Sequence, residues 1–173
     1  MTYERESLDF WSHSQELLKG ALSENGGVLC TVVDEAGDTN VLTLGWCLVG
    51  PRYGNHPIVA IAVCPPRYSW LFLESTGEFV LAVPDASLRD AVKLCGSKSG
   101  RQLDKFEAAG LTRLQSAHVR APSIAECSIN VECRTYTRVS PPHRILTPRH
   151  RSRPLEDQHT IYFAEAVGTY RYR

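Results

Sequence analysis

A segment rich in glycine, serine and basic residues, CGSKSGRQLDKF (95–106), contains the residue types in this chain that are best suited to chemistry. Glycine and serine let the main chain approach a ligand closely, and successive backbone N–H groups can surround an anion. Arg101 or Lys105 can supply the positive charge, so the segment is suited to binding a phosphate. The same pattern is typical of a helix that ends at Gly96 before a surface turn, and the segment alone leaves both interpretations open.

A second segment with suitable chemistry is CPPRYS (64–69), which precedes a short apolar run. Ser69 and Arg67 lie where a helix is predicted to begin, and the free N–H groups of a first helical turn favour phosphate. The alternative is a simple helix cap with a solvated arginine.

Composition and charge narrow the class of protein. The 173 residues, of which 43% are hydrophobic, are predicted to form one globular domain over 1–173. The 19 basic residues balance the 19 acidic ones, so the chain has no overall field that would attract nucleic acid or a membrane surface. Any anion site must therefore be local.

The cysteines and histidines indicate neither a disulfide framework nor a metal site. The six cysteines form no CxxC pair, and the six histidines are not spaced from them at metal-ligand intervals. No apolar stretch follows a basic N-terminus as in a signal peptide, and no run approaches the roughly 20 residues that span a bilayer. We expect a cytoplasmic protein with reduced thiols and no bound metal.

The sequence predicts a mainly β architecture, which must position the segments 64–69 and 95–106. The pattern predicts an N-terminal helix at about 4–20 and short helices at 68–76 and 87–95. Apolar runs rich in β-branched residues predict about six strands, at 28–33, 41–49, 58–64, 78–83, 128–139 and 159–172. Many strands with few helices favour a closed or half-closed antiparallel barrel. Between the last two strands, the arginine- and proline-rich stretch 140–158 is predicted to be an inserted loop.

The order of several segments resembles the flavin reductase-like family, the FMN-binding split barrels that include flavoredoxins. The segments that carry the resemblance are DTNVLTLGW (38–46), VAIAVCPPRYS (59–69), GEFVLAVP (77–84), CGSKSGRQLDKF (95–106), VRAPSIAECSINVECR (119–134) and DQHTIYFAEAVG (157–168). The resemblance implies an antiparallel Greek-key FMN-binding split barrel, paired as a homodimer, with FMN near the subunit interface.

The resemblance also implies roles for residues of the first matching segment. Asn40 would contact the cofactor, Thr43 would hydrogen-bond the flavin or its ribityl chain, and Trp46 would pack near the ring. Without the resemblance, Trp46 would equally well be ordinary core and Asn40 a turn residue.

The remaining implied cofactor contacts come from the later segments. Ser97, Ser99 and Gly100 would approach FMN, Lys105 would provide a cation, and Arg67 with Ser69 would bind the phosphate. His159 would approach the flavin or the substrate as a catalytic residue, or would be a histidine at the start of a strand bonded to backbone.

The implied activity is that of an NAD(P)H-dependent flavin reductase that transfers hydride from nicotinamide to FMN. Reduced flavin would pass electrons to an acceptor protein or a monooxygenase. Two alternatives are a flavoredoxin-like FMN electron carrier and an FMN enzyme acting directly on an organic substrate. The loop arginines Arg144, Arg149, Arg151 and Arg153 are either a solvated surface or a flap that meets the phosphates of the nucleotide.

Overall fold

The computed structural model describes residues 2–22, 26–150 and 153–173. Its main element is an eight-stranded antiparallel sheet with the order β3-β2-β6-β9-β10-β5-β4, to which β1 is added beside β10. The strands are β1 (Arg5–Ser7), β2 (Val28–Val33), β3 (Thr39–Leu44), β4 (Leu48–Arg52), β5 (His56–Val63), β6 (Glu78–Val83), β9 (Ile129–Val139) and β10 (Thr160–Tyr172). A small hairpin joins β7 (Arg113–Leu114) to β8 (Ser123–Ile124). The helices are α1 (Phe10–Leu22), α2 (Tyr68–Thr76), α3 (Arg89–Ser97) and α4 (Lys105–Ala108).

The sheet curls because its two edges are linked by a very short connection. β3 lies at one end of the strand order and β4 at the other, yet only Gly45, Trp46 and Cys47 separate them. Such a link spans roughly 13 Å at about 3.3 Å per residue, so the two edges must lie close together. The predicted antiparallel split barrel is confirmed, and its split lies between these edges.

The longest strand, β10, is shared between two neighbours on one side. Its first half pairs with β5, from Thr160 opposite Val63 to Glu165 opposite Ile58, and its last residues pair with β1. Register shifts against β9 occur between Phe163 and Ala164 and between Ala166 and Gly168. Such bulges bend a strand and increase its twist, which favours closure of the barrel.

Both faces of the central strands are covered, which explains their continuous apolar sequences. Every residue of β2 is buried. Val28, Leu81, Val131 and Tyr162 belong to the core inside the barrel. The outward face of β2 and β6 is covered by α3, α4 and β8 through a second cluster that includes Leu29, Ala82, Val92, Phe106 and Ile124.

Several predicted boundaries are wrong. The N-terminal helix begins at Phe10 and not near residue 4, because Arg5–Ser7 pairs as β1 with the end of β10. The predicted strand 41–49 is two strands interrupted by Gly45–Cys47. The expectation of about six strands is therefore too low, because β1, β4 and the β7–β8 hairpin were not recognised.

The arginine- and proline-rich stretch 140–158 does connect β9 to β10, as predicted. Its described part contains two 3-10 turns, Pro148–His150 and Leu155–Asp157. His143 anchors the start of the loop to its end, since its backbone N–H donates to Gln158 Oε1 at 2.8 Å and its Nε2 lies 2.6 Å from the carbonyl oxygen of His159. Arg151 lies outside the described residues.

Candidate functional site

A cleft of about 420 Å³ opens at the split of the barrel, where β3 ends and β4 begins. This volume lies within the roughly 300–1,000 Å³ of small-molecule sites. Every predicted site residue lines it, and these are Asn40, Thr43, Trp46, Arg67, Ser69, Ser97, Ser99, Gly100, Lys105 and His159. The structure thus brings together residues that lie more than a hundred positions apart in the sequence.

The floor of the cleft is formed by β3 and by the first turn of α2. Asn40 is a buried residue of β3, and its Nδ2 donates to Ser69 Oγ at 2.8 Å. The alternative that Asn40 is a turn residue is therefore wrong. Because Ser69 Oγ accepts this bond, the Ser69 hydroxyl hydrogen remains available to a ligand. Arg67 occupies the N-cap position of α2 and makes no side-chain cap bond, so the first N–H groups of the helix are not capped by its side chain.

Lys105 forms a buried positive end of the cleft. Its side chain is only 5% exposed, and its Nζ donates to the Cys95 carbonyl oxygen at 2.8 Å. Burial lowers the pKa of Lys105, the nearby Cys95 opposes that shift, and Arg67 adds to it. Across the described ranges 2–22, 26–150 and 153–173, Lys105 forms no ion pair with a carboxylate. A buried ammonium without a carboxylate is suited to binding an anionic ligand.

The loop that follows α3 packs against β3 and is not a simple surface turn. α3 continues past Gly96 to Ser97, whose hydroxyl donates to the Lys93 carbonyl at 2.7 Å. At Gly100, a Cβ atom would lie 2.4 Å from Asn40 Oδ1, so any side chain there would displace Asn40. Ser99 Oγ accepts a bond from the Arg101 N–H at 3.3 Å. The absence of a side chain at Gly100 therefore permits the close approach of loop and strand.

Two further predicted residues differ in what they can offer a ligand. The Thr43 hydroxyl donates to the Val92 carbonyl at 2.6 Å, so towards a flavin it retains only its capacity to accept. Trp46 is 40% exposed in the link between β3 and β4, so the alternative that it is ordinary core is wrong. Its indole can cover a flat ligand in the cleft.

His159 lies on the opposite wall, immediately before β10. Partial burial lowers the pKa of its imidazole, and Arg153, Arg67 and His143 contribute in the same direction against Asp157. The ring is therefore neutral near pH 7 and can donate or accept a hydrogen bond.

Sequence reasoning missed several lining residues. Ala62 and Val63 end β5, Cys64 follows them, and these three residues line the cleft together with Tyr68. Arg101, one of the two candidate cations of the segment 95–106, lines it as well. The Arg101 guanidinium lies 4.8 Å from the centre of the Tyr68 ring and donates to the Pro66 carbonyl at 3.5 Å. Alternation along the 58–64 strand could have identified Ala62 and Cys64 as facing one side, but no local signal pairs Arg101 with Tyr68.

Cys95 lines the cleft but is not a reactive thiolate. Burial raises its pKa to about 11, although Lys105 acts in the opposite direction. The thiol is therefore protonated near neutral pH. All six cysteines are free.

The cleft thus combines cations and hydroxyl groups with an uncharged wall. Among the residues that the structure describes, its lining contains Arg67, Lys98, Arg101 and Lys105 and no aspartate or glutamate. Leu42, Leu44, Ala62 and Val63 supply the apolar surface. This arrangement is suited to a flat, largely apolar ligand that carries a negative group.

Comparison with known proteins agrees with this geometry. The sequence model of the family described as "Flavin reductase like domain" matches residues 22–171. The chain belongs to this flavin reductase-like family. The family match spans the strands β2 to β9, β10 except its last residue, and all the residues that line the cleft.

Related sequences and structures extend the comparison. An uncharacterized protein of Archaeoglobus fulgidus is 37% identical over 100 residues, which are 58% of this chain and 55% of that protein. The flavoredoxin of Desulfovibrio vulgaris superposes with a TM-score of 0.65 at 20% identity, covering 82% of this chain and 67% of its own. An FMN-binding domain of a flavin reductase-like enzyme from Shewanella baltica superposes with a TM-score of 0.66 at 18% identity, covering 99% of this chain and 78% of its own.

The matched region is just over half of the Archaeoglobus relative's length, and the structural likenesses establish the fold of this flavin reductase-like protein. In the parts of the chain that the structure describes, no helix is both long and apolar enough to cross a membrane.

Proposed function

We propose that this flavin reductase-like protein is an FMN-dependent oxidoreductase that takes reducing equivalents from NAD(P)H. The observation that carries the proposal is Lys105, a nearly fully buried ammonium without a carboxylate partner among the described residues, at one end of a cleft with an apolar wall. A phosphate would neutralise this charge, and an isoalloxazine ring would cover the wall.

The residues present fit FMN. Lys105, Ser69, Arg67 and the first turn of α2 are suited to the phosphate, and Ser99 and Gly100 let the backbone approach the ribityl chain. The exposed indole of Trp46 and the neutral imidazole of His159 lie along the part of the wall suited to the ring. When bound, FMN would supply the electron-accepting ring. The chain would orient that ring, shield one of its faces and leave the other open to a second reactant.

The proposed reductase activity is tested by adding NADH or NADPH anaerobically to protein reconstituted with FMN. We expect the visible flavin absorbance to bleach faster than that of free FMN, because the cleft would hold flavin and nicotinamide in a reactive arrangement. Fully bound FMN that neither nucleotide bleaches would contradict the reductase and favour an electron carrier reduced by a protein partner. Bleaching that requires an added organic compound would favour an enzyme acting on that compound.

We also propose that the protein is a homodimer in which the cleft lies near the subunit interface. Trp46 and Leu48 are 40% and 61% exposed where β3 passes into the edge strand β4, and Tyr53 just beyond β4 is 92% exposed. Large apolar side chains concentrated beside a site indicate a surface that another chain covers.

Light scattering is expected to show a dimer, and Leu48→Glu is expected to shift it towards the monomer, because a carboxylate would be buried at the interface. Leu146→Glu serves as the control, since Leu146 is also exposed but lies in the loop between β9 and β10. A monomer with fully bound FMN would contradict the proposed dimer.

That the loop arginines form a flap for the nucleotide phosphates stays a prediction.

A further inference from the structure

A salt bridge behind the cleft connects the β7–β8 hairpin to the start of α4. Arg113 Nη2 donates to both carboxylate oxygens of Asp104 at 2.8 Å, and Arg113 Nε donates to Thr39 Oγ1 at 3.0 Å. The same guanidinium lies 3.9 Å from the centre of the Phe106 ring. Arg113 does not line the cleft. It lines a separate recess of about 330 Å³, to which Asn40, Gly100 and Lys105 also contribute. The Arg113 side chain therefore contacts both residues that flank Lys105, Asp104 and Phe106.

Asp104 is the N-cap of α4. Its Oδ1 accepts the N–H of Phe106 at 2.9 Å and the N–H of Glu107 at 3.3 Å. Burial raises the pKa of Asp104, but the hydrogen bonds from Arg113 and from the α4 backbone outweigh this effect and hold the pKa below its usual value. The carboxylate is thus ionised at neutral pH and shared between the helix and Arg113.

α4 has only four residues, Lys105–Ala108, so its orientation depends on tertiary anchors and not on its own helical stability. The two anchors that flank Lys105 are the Asp104 cap and the fully buried Phe106 ring, and Arg113 contacts both. Lys105 is the first residue of the helix, and from this backbone position its long side chain places Nζ 2.8 Å from the Cys95 carbonyl oxygen. A small rotation of α4 would move the ammonium away from the cleft.

We propose that Arg113 is a positioning residue for the anion-binding end of the cleft: through Asp104 and Phe106 it holds α4 so that the Lys105 ammonium faces a bound phosphate. This inference rests on the proposed binding of FMN. Thr39, which lies on β3 next to Asn40, receives the third Arg113 contact. Arg113 therefore ties α4 to the same strand that holds Ser69 through Asn40.

The test compares FMN with riboflavin, which has the same ring and ribityl chain but no phosphate. Both are titrated by flavin fluorescence against the wild type, Arg113→Leu and Arg113→Lys. We expect Arg113→Leu to weaken FMN binding about fivefold, within the range seen for coupled neighbouring residues, and to leave riboflavin binding unchanged. Arg113→Lys is expected to recover only part of the loss, because one ammonium nitrogen cannot contact Asp104 and Thr39 at the same time as Nη2 and Nε do, and it presents no flat face to the Phe106 ring.

A double-mutant cycle separates positioning from general stability. In a Lys105→Ala background, Arg113→Leu is expected to have no further effect on FMN affinity, since the group that it positions is gone. Arg120→Leu is the matched control, because Arg120 is also an exposed arginine beside a carboxylate, with Nε 3.5 Å from Glu78 Oε2, and does not line the cleft. It should leave both affinities unchanged.

Three outcomes would overturn the inference: unchanged FMN affinity in Arg113→Leu, an equal loss of riboflavin and FMN, or an equal further loss in the Lys105→Ala background. If the wild type bound neither flavin, the proposed function would fail as well, so the two failures can be told apart.

Discussion

Replacing both Lys105 and Ser69 with alanine is expected to weaken FMN binding by about a hundredfold or more. A hydrogen bond to a charged group contributes roughly 1.5–3 kcal/mol, so loss of two such bonds amounts to about 3 kcal/mol or more. Each 1.4 kcal/mol corresponds to about a factor of ten in the dissociation constant. Ser69→Ala also leaves the buried Asn40 amide without the acceptor that it has at 2.8 Å.

The measurement is a fluorescence titration of FMN, with Lys93→Ala as the control. Lys93 is an exposed lysine of the neighbouring helix α3 and does not line the cleft, so its loss should not change the affinity. The single variants should each lose part of the affinity. Wild-type affinity in the double variant would show that the phosphate does not lie at this end of the cleft.

Glu132→Leu is expected to lower the free energy of unfolding by about 2–6 kcal/mol, because two partly buried backbone N–H donors would each lose their acceptor, at about 1–3 kcal/mol each. Glu132 is fully buried on β9, and its two carboxylate oxygens accept the N–H groups of Ala117 and His118 at 2.8 and 2.7 Å. Leucine restores most of the volume and none of these bonds. The segment after β7 would then be held by fewer bonds, among them those from the Arg120 N–H to Glu78 Oε2 at 2.9 Å and from Arg134 to the His118 carbonyl oxygen at 2.6 Å.

Thermal unfolding is the appropriate measurement, with an expected decrease in Tm of about 4–24 °C at roughly 2–4 °C per kcal/mol for a chain of this size. Glu126→Leu is the control, since within the described part of the chain the Glu126 carboxylate accepts only the exposed Thr112 N–H, at 3.0 Å, and a change within about 1 kcal/mol is expected. FMN affinity should be retained below the transition, because Glu132 does not line the cleft. An unchanged Tm would show that the segment does not depend on this carboxylate.

Polar side chains of β9 hold the β7–β8 hairpin and its loop on the outer face of the barrel. Asn130 and Glu132 alternate with the core residues Ile129 and Val131 along β9, so they point away from the barrel interior. Asn130 bonds both the N–H and the carbonyl of Ile124, at 2.8 and 3.0 Å. This strand thereby fixes the hairpin that carries Arg113, which in turn contacts the start of α4.

Local patterns were sufficient for several β strands of the core, and the resemblance to the flavin reductase-like family supplied most of the residues that form the candidate site. Strand β2 has the predicted bounds 28–33, and α2 has the predicted bounds 68–76, because continuous burial and turn-forming neighbours leave a clear local signal. Gly100 and Lys105 were identified because a close backbone approach and a buried cation require those residue types.

Only the tertiary structure decided where these groups meet and what holds them. β1 exists because Arg5 pairs with Tyr172 at the far end of the chain, and β4 separates from β3 because it pairs with β5 at the opposite edge of the sheet. The exposure of Trp46, the bond between Asn40 and Ser69 and the contact of Arg113 with Asp104 likewise depend on elements that are brought together by folding. The physical reason is that residue type and periodicity record how much surface a position buries, whereas hydrogen bonds and ion pairs between distant segments leave no periodic signal in either partner.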